Sequence, residues 1–185
     1  MDNISSLRLA LCGSNRLILT LGLMLARRDL RLMGIAPSMP DTAASADAVP
    51  DAVVRVLHST LLLGCPVYTE PRELLQQCDL AIADAGMYRA LSGMSDKPIA
   101  MIEHADDAFC EGYEAVCPSF TAVCSDDSWL CSLRFSSEDA EALMAMRKLW
   151  DSLKPSKERG SDACLLSWKQ ASDLIELLFS EGLTA

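Results

Sequence analysis

The chain has 185 residues and carries 16 Lys and Arg against 26 Asp and Glu, which gives a formal net charge of −10 at pH 7. Half of the residues are hydrophobic, and there are only 9 Gly and 8 Pro, so a disordered, collagen-like or linker-dominated chain is excluded. The length suits one domain. The acidic balance disfavours nucleic acid as a partner, because phosphate binding requires clustered Lys and Arg.

The first residues and the apolar runs favour a cytoplasmic protein that does not enter a membrane. Residues 1–6 lack the basic and apolar regions of a signal peptide. The longest apolar run, residues 17–26, is interrupted by Thr20 and is shorter than the roughly 20 apolar residues that a spanning helix needs. In such a chain, we expect the cysteines to be thiols that pack as small hydrophobic side chains.

Short apolar segments alternate with helical patterns over residues 7–104. The pattern predicts strands over 7–12, 30–35, 66–68, 79–83 and 98–102, and helices over 16–28, 50–63, 71–77 and 87–92. The segment 36–50 is small, polar and interrupted by proline, and we expect a loop there. This alternation predicts an α/β fold in three layers: a doubly wound, mostly parallel, Rossmann-like sheet covered by helices on both faces.

The C-terminal third has a different pattern. Two further strands are predicted over 121–124 and 129–133, followed by a helix that starts with Ser136 and Asp139 as reciprocal caps and ends near Leu153. A final helix is predicted over 162–180. We therefore expect a Rossmann-like domain over residues 1–135 and a C-terminal helical extension over 136–185. That extension would pack on the same domain or on a partner, such as a second copy of this chain in a homodimer.

The carboxyl ends of the predicted parallel strands define the candidate binding site, because ligands bind there in open α/β sheets. Gly13, Ser14 and Asn15 follow the first strand, where a dinucleotide-binding fold places its glycine-rich phosphate turn. Only the first of the three glycines of that turn is present, since Asn15 and Ile18 occupy the other two positions. The residues therefore predict either phosphate contacts by Gly13, Ser14 and Asn15 or a simple turn between strand and helix.

The adenosine side of the predicted site would be lined by Ala36, Ser38, Asp84 and Gly86, which follow the second and fourth predicted strands. No carboxylate follows the second strand to hold the ribose hydroxyls of NAD. Ser38 is a weak indication of NADP binding. A nucleotide is the expected small-molecule ligand, and NAD or NADP is the cofactor that the pattern allows.

Residues 64–75 (GCPVYTEPRELL) and 78–84 (CDLAIAD) resemble the middle of the nucleotide-binding domain of Gfo/Idh/MocA-type oxidoreductases. Residues 96–103 (DKPIAMIE) look like the next strand, where the family has a Glu-Lys-Pro motif with a catalytic Lys. Here only Glu103 matches, because His104 and Ala105 replace Lys and Pro. The resemblance covers about residues 7–104, and the rest of the chain is too short for the family's large substrate domain. It implies a nucleotide-binding half without the family's recognised chemistry.

A response-regulator receiver domain is the competing resemblance. Residues 7–36 can be aligned with its start and residues 79–84 with its phosphoacceptor strand, which would make Asp84 the acceptor. A receiver needs an acidic pair after the first strand to hold Mg²⁺, and Cys12 and Gly13 provide no carboxylate there. This resemblance implies a pseudo-receiver, a signalling or protein-interaction module without conventional phosphorylation.

The cysteine and histidine residues are the remaining candidates for chemistry. Four cysteines recur every seven residues: Cys110, Cys117, Cys124 and Cys131. Zinc ligands usually come as close pairs, so we expect these cysteines to pack in the core and not to bind a metal ion. His104 is the candidate general acid or base. The alternative is a solvated loop histidine, and no nucleophile is identifiably paired with it.

Overall fold

The structure is a computed structural model that describes residues 4–26, 30–38, 65–105, 117–126, 129–153 and 166–182. Its strands are β1 (Arg8–Cys12), β2 (Arg31–Ala36), β3 (Leu80–Ala83), β4 (Ile99–His104), β5 (Ser119–Asp126) and β6 (Trp129–Ser136). Its helices are α1 (Arg16–Ala26), α2 (Pro71–Gln77), α3 (Ala85–Leu91), α4 (Ala140–Leu153) and α5 (Trp168–Gly182), after a 3-10 turn at Ile4–Ser6. The predicted helix over 50–63 lies outside the described residues.

The six strands form one sheet in the order β2-β1-β3-β4-β6-β5. The first four are parallel, and β6 is antiparallel to both β4 and β5. A parallel bridge between Ile35 and Val67 adds a short extended segment outside β2, in place of the strand predicted over 66–68. In a Rossmann sheet the third strand lies outside the second, whereas in a receiver-like sheet it lies beside the first. The predicted doubly wound α/β fold is therefore confirmed, and its strand order is Rossmann-like.

Helices cover both faces of the sheet, as the alternation of side chains along β1 illustrates. Leu9 and Leu11 belong to a hydrophobic cluster with α1, α4 and α5, and Ala10 and Cys12 belong to a second cluster with α2 and α3. Helix α1 is apolar on all sides, and every residue from Leu17 to Leu25 is buried. A helix without a polar face is stable only when it is enclosed, so α1 is a core element of the three-layer fold.

The two C-terminal helices pack on the same face of the sheet as α1. Phe135 of β6, Trp150 of α4 and Trp168 of α5 form a row of aromatic rings with centroid separations of 5.3 and 5.8 Å. Helix α5 leaves Leu177 exposed. The buried side chains of both helices pack within this chain. The domain boundary at residue 135 and the homodimer stay predictions. No helix within the described ranges is long and apolar enough to cross a membrane.

Helix α4 begins differently from the sequence-based expectation. Asp139 is its cap, because its Oδ1 accepts a hydrogen bond from the N–H of Glu141 at 2.8 Å. Ser136 is the last residue of β6, where it pairs with Met101 and Ser119. The prediction of Ser136 as the cap was therefore wrong, because the antiparallel pairing extends β6 beyond the predicted end of that strand.

The same pairing lengthens β4. The strand continues to His104 because residues 101–104 pair with β6. Helix α3 also begins earlier than predicted, at Ala85, since Asp84 caps it. His104 is consequently a strand residue and not a loop residue.

Candidate functional site

Gly13 forms a sharp turn directly after β1. Its φ of +129° lies in a region that side-chain-bearing residues rarely adopt. Its N–H donates a hydrogen bond of 2.8 Å to the carbonyl oxygen of Ala36, which ties the carboxyl ends of β1 and β2 together. A Cβ atom added to Gly13 would lie 2.1 Å from Oδ2 of Asp84. Both the backbone conformation and the contact with Asp84 therefore require glycine at this position.

Asn15 completes the N-terminus of α1. Its Oδ1 accepts a hydrogen bond of 2.9 Å from the N–H of Ile18, and its carbonyl oxygen accepts one of 3.2 Å from the N–H of Leu19. This is the pattern of a helix N-cap. The Asn15 side chain is thus occupied with the helix, whereas its backbone N–H faces the adjacent strand end.

Asp84 lies opposite this turn, at the carboxyl end of β3. Its Oδ1 accepts a hydrogen bond of 2.9 Å from the N–H of Met87, so the carboxylate caps α3. The backbone N–H groups of Ser14, Asn15 and Gly86 lie near this carboxylate and favour its charged form. Burial raises the pKa of Asp84 above its usual value, and the nearby backbone N–H groups offset part of that rise.

The N–H groups of Ser14 and Asn15 therefore form a small nest of donors beside the carboxylate of Asp84. Such groups of backbone N–H donors bind phosphates in many nucleotide-binding proteins. The nest lies between β1 and β3, which is where the strand order of a doubly wound sheet reverses and where ligands bind. An incoming phosphate would compete with Asp84 for the same donors.

The structure brings most of the predicted binding residues to this strand-end region. Ala36 is fully buried, and its carbonyl oxygen holds the N–H of Gly13. Gly86 lies in the first turn of α3, next to the carboxylate of Asp84. Ser38 is exposed at the end of the described segment that follows β2. No carboxylate occurs in residues 30–38, so β2 supplies no group for a ribose diol.

His104 lies elsewhere. It is the last residue of β4, and β3 stands between that strand and β1, so His104 is two strands away from Gly13. Its Nδ1 is 3.7 Å from Sγ of Cys131. The neighbouring Glu103 forms an ion pair with Arg134 at 3.6 Å. His104 is therefore grouped with β6 and not with the nest.

The regularly spaced cysteines do not meet in one place. Cys124 stands opposite Cys131 in the β5–β6 pairing, and Cys117 contacts the hydroxyl of Tyr88. Cys110 lies outside the described residues. Within the part of the chain that the structure describes, no group of three or more His, Cys, Asp or Glu residues is placed to hold a metal ion.

The role of Asp84 in this site could not be read from the sequence. The signal was present, because Asp is a typical helix cap and Asp84 comes directly before a helical pattern. The contact between Asp84 and Gly13, however, depends on the parallel pairing of β1 with β3. The sequence placed Gly13 and Asp84 in one strand-end region, but it did not show that the side chain of Asp84 lies against the turn at Gly13.

The strand order defines a Rossmann-like α/β domain, and the turn at Gly13 lies at its topological switch point. No protein-family model matches the sequence, and no curated protein matches it. A solved structure from Bacteroides fragilis, described as a "putative NADP oxidoreductase", is 14% identical, with a TM-score of 0.49, and the match covers 98% of this chain and 69% of that chain. The class rests on this chain's own strand order, and the finer resemblance to Gfo/Idh/MocA-type proteins stays a prediction.

Proposed function

We propose that this chain binds a nucleotide or an NAD(P)-like dinucleotide at the nest between β1 and β3, in an oxidoreductase-related or regulatory role. The observation that supports this is that the carboxylate of Asp84 lies against the turn at Gly13, where the backbone N–H groups of Ser14 and Asn15 favour its charged form. Helix α1 begins directly after them, and the N-terminus of a helix favours negative charge.

A phosphate of the ligand would take the place of the Asp84 carboxylate on the N–H groups of Ser14 and Asn15. Gly13 has no side chain, so the ligand could approach its backbone closely. Ala36, Ser38 and Gly86 would then lie on the adenosine side. His104 is two strands away from Gly13, so the proposal assigns binding to this site and no catalytic residue.

Asp84 sets the strength of this binding. Its carboxylate must turn away or take up a proton before a phosphate can use the nest, and either change costs free energy because hydrogen bonds of a mostly buried group are lost. We therefore expect weak binding to the wild-type protein. Asp84→Ser should bind more tightly, since Ser can still cap α3 but brings neither the charge nor the bulk of a carboxylate.

Isothermal titration of NADPH, NADH and ADP into the wild-type protein and Asp84→Ser tests the proposal. We expect Asp84→Ser to bind at least one of these ligands about tenfold more tightly, which corresponds to about 1.4 kcal/mol. Asp173→Ser, on an exposed part of α5, is the matched control and should bind as the wild type does. If neither the wild type nor folded Asp84→Ser binds any of them, the nest is a purely structural turn and the proposal is wrong.

The alternative function is that of a pseudo-receiver, a signalling or protein-interaction module without conventional phosphorylation. A receiver-like sheet would place its third strand beside the first, whereas the segment at Val67 here lies outside β2. The strand order therefore favours the nucleotide-binding proposal.

A further inference from the structure

Two cysteines face each other across the β5–β6 hairpin, away from the nest. The antiparallel register pairs Cys124 directly with Cys131, and both are present as partly exposed thiols. Directly opposed residues in antiparallel strands have Cβ atoms about 4.5–5.5 Å apart. Their Cα separation falls in the range of about 4.4–6.8 Å that a disulfide spans. Because the Cβ atoms of a disulfide lie about 3.5–4.5 Å apart, a bond between these two residues requires the paired strands to approach slightly at this position.

A histidine accompanies one of the two thiols. Nδ1 of His104 is 3.7 Å from Sγ of Cys131. His104 pairs with Leu133 in the β4–β6 register, and Leu133 lies two residues from Cys131, so the imidazole and both thiols are on one face of the sheet. The imidazole is thus placed to accept the thiol proton of Cys131, and the thiolate is the reactive form of cysteine.

The two thiols differ in environment. Burial raises the pKa of Cys124 to about 12, with a further contribution from the nearby Cys131. Cys124 therefore stays protonated near neutral pH. Cys131, beside His104, is the better nucleophile of the pair.

We infer that Cys131, Cys124 and His104 form a peroxide-reactive dithiol site, in which Cys131 attacks the peroxide and Cys124 resolves the product as a disulfide. The substrate class is a small hydroperoxide. His104 is exposed and both thiols are partly exposed, so such a molecule can reach them without a change in the fold. This inference does not depend on nucleotide binding.

The first step is the attack of Cys131 on the peroxide. His104 takes the thiol proton, and the thiolate sulfur forms a bond to one peroxide oxygen while the O–O bond breaks. The leaving oxygen takes the proton from His104. From hydrogen peroxide, this gives a sulfenic acid on Cys131 and one water.

The second step forms the disulfide. The sulfur of Cys124 attacks the sulfenic sulfur of Cys131, the S–O bond breaks, and the leaving hydroxide takes the thiol proton of Cys124 as a second water. Two thiols are oxidised by two electrons in total, and one peroxide is reduced to two waters. A thiol reductant restores the dithiol.

Mapping of the disulfide by mass spectrometry is the direct test. The full-length protein is reduced, desalted, treated with hydrogen peroxide, alkylated and digested. The chain has no Lys or Arg between Lys97 and Arg134, so trypsin alone leaves Cys124 and Cys131 on one peptide. Cleavage before Asp126 or Asp127 separates them. We expect these two peptides to be joined after oxidation and to separate again after reduction.

Three variants assign the roles of the residues. Cys124→Ser should accumulate a sulfenic acid on Cys131 that dimedone captures. Cys131→Ser should react with peroxide at least about tenfold more slowly than the wild type. His104→Gln should also slow the reaction, by about a hundredfold. Cys78→Ser is a matched control, because Cys78 is buried and lies on the other face of the sheet.

The mapping of the wild-type protein decides the question even if a variant fails to fold. A disulfide that joins any other pair of cysteines contradicts the inference. So does a wild-type protein in which Cys131 is oxidised to sulfinic acid while Cys124 remains a thiol. Equal rates of peroxide reaction for the wild type and a folded Cys131→Ser would also overturn it.

Discussion

Replacement of Gly13 by alanine tests the tightest contact of the candidate site. The added Cβ would lie 2.1 Å from Oδ2 and 2.5 Å from Cγ of Asp84. These distances are too short for non-bonded atoms, so the Asp84 side chain must move. The φ of +129° at residue 13 adds backbone strain, because alanine rarely adopts it.

Two terms determine the expected loss of stability. Backbone strain of this kind costs about 1–3 kcal/mol. Displacement of Asp84 removes its hydrogen bond to the N–H of Met87, and the loss of a helix cap costs about 0.5–2 kcal/mol. We expect Gly13→Ala to lower the free energy of unfolding by about 3 kcal/mol. For a domain of this size, the Tm should fall by about 6–12 °C.

Urea unfolding and thermal unfolding followed by circular dichroism measure this loss. Gly93→Ala is the matched control, because a Cβ on Gly93 would meet no atom within 4 Å. The Tm of Gly93→Ala should therefore differ little from that of the wild type. Asp84→Ser in the Gly13→Ala background should recover part of the loss, since it removes the carboxylate that the new Cβ meets. The contact is refuted if Gly13→Ala and Gly93→Ala are equally stable. If Asp84→Ser recovers nothing, backbone strain alone accounts for the effect.

Two further predictions concern the protonation of Asp84 and the packing of the core. Because burial raises the pKa of Asp84, the folded state binds its proton more tightly than the unfolded state does. The free energy of unfolding of the wild type relative to Asp84→Asn should therefore fall as pH rises from the usual carboxyl range through this raised pKa. Urea unfolding of both proteins from about pH 4 to pH 7 measures this difference. A difference in stability that stays constant or grows with pH would contradict the raised pKa of Asp84. Phe135 is fully buried, and its ring centroid is 5.1 Å from that of Phe120. Phe135→Ala should cost about 3–5 kcal/mol and lower the Tm by about 6–20 °C. Phe120→Ala should cost less, because Phe120 is only partly buried, and equal losses for the two variants would contradict the packing described here.

The sequence by itself determined the architecture of the parallel part of this protein. Alternating apolar strands and helical patterns are local properties, because each depends on side-chain periodicity within a short window. They predicted β1, β2 and β3 to within one residue at each end and predicted α2 at its observed limits, 71–77. The position of Gly13 and of Asp84 at the carboxyl ends of their strands also followed from local patterns and the general topology of such sheets.

The tertiary structure alone decided what happens between distant segments. The extension of β4 to His104 and the role of Ser136 depend on the pairing of β4 with β6. The spacing of seven residues between Cys124 and Cys131 suggested no special relation, yet a tight hairpin places them opposite each other. Asp84 fills the nest at Gly13 because β1 and β3 are neighbours in the sheet. Such contacts arise from pairing in three dimensions, and a local sequence pattern carries no information about which partner a polar group finds there.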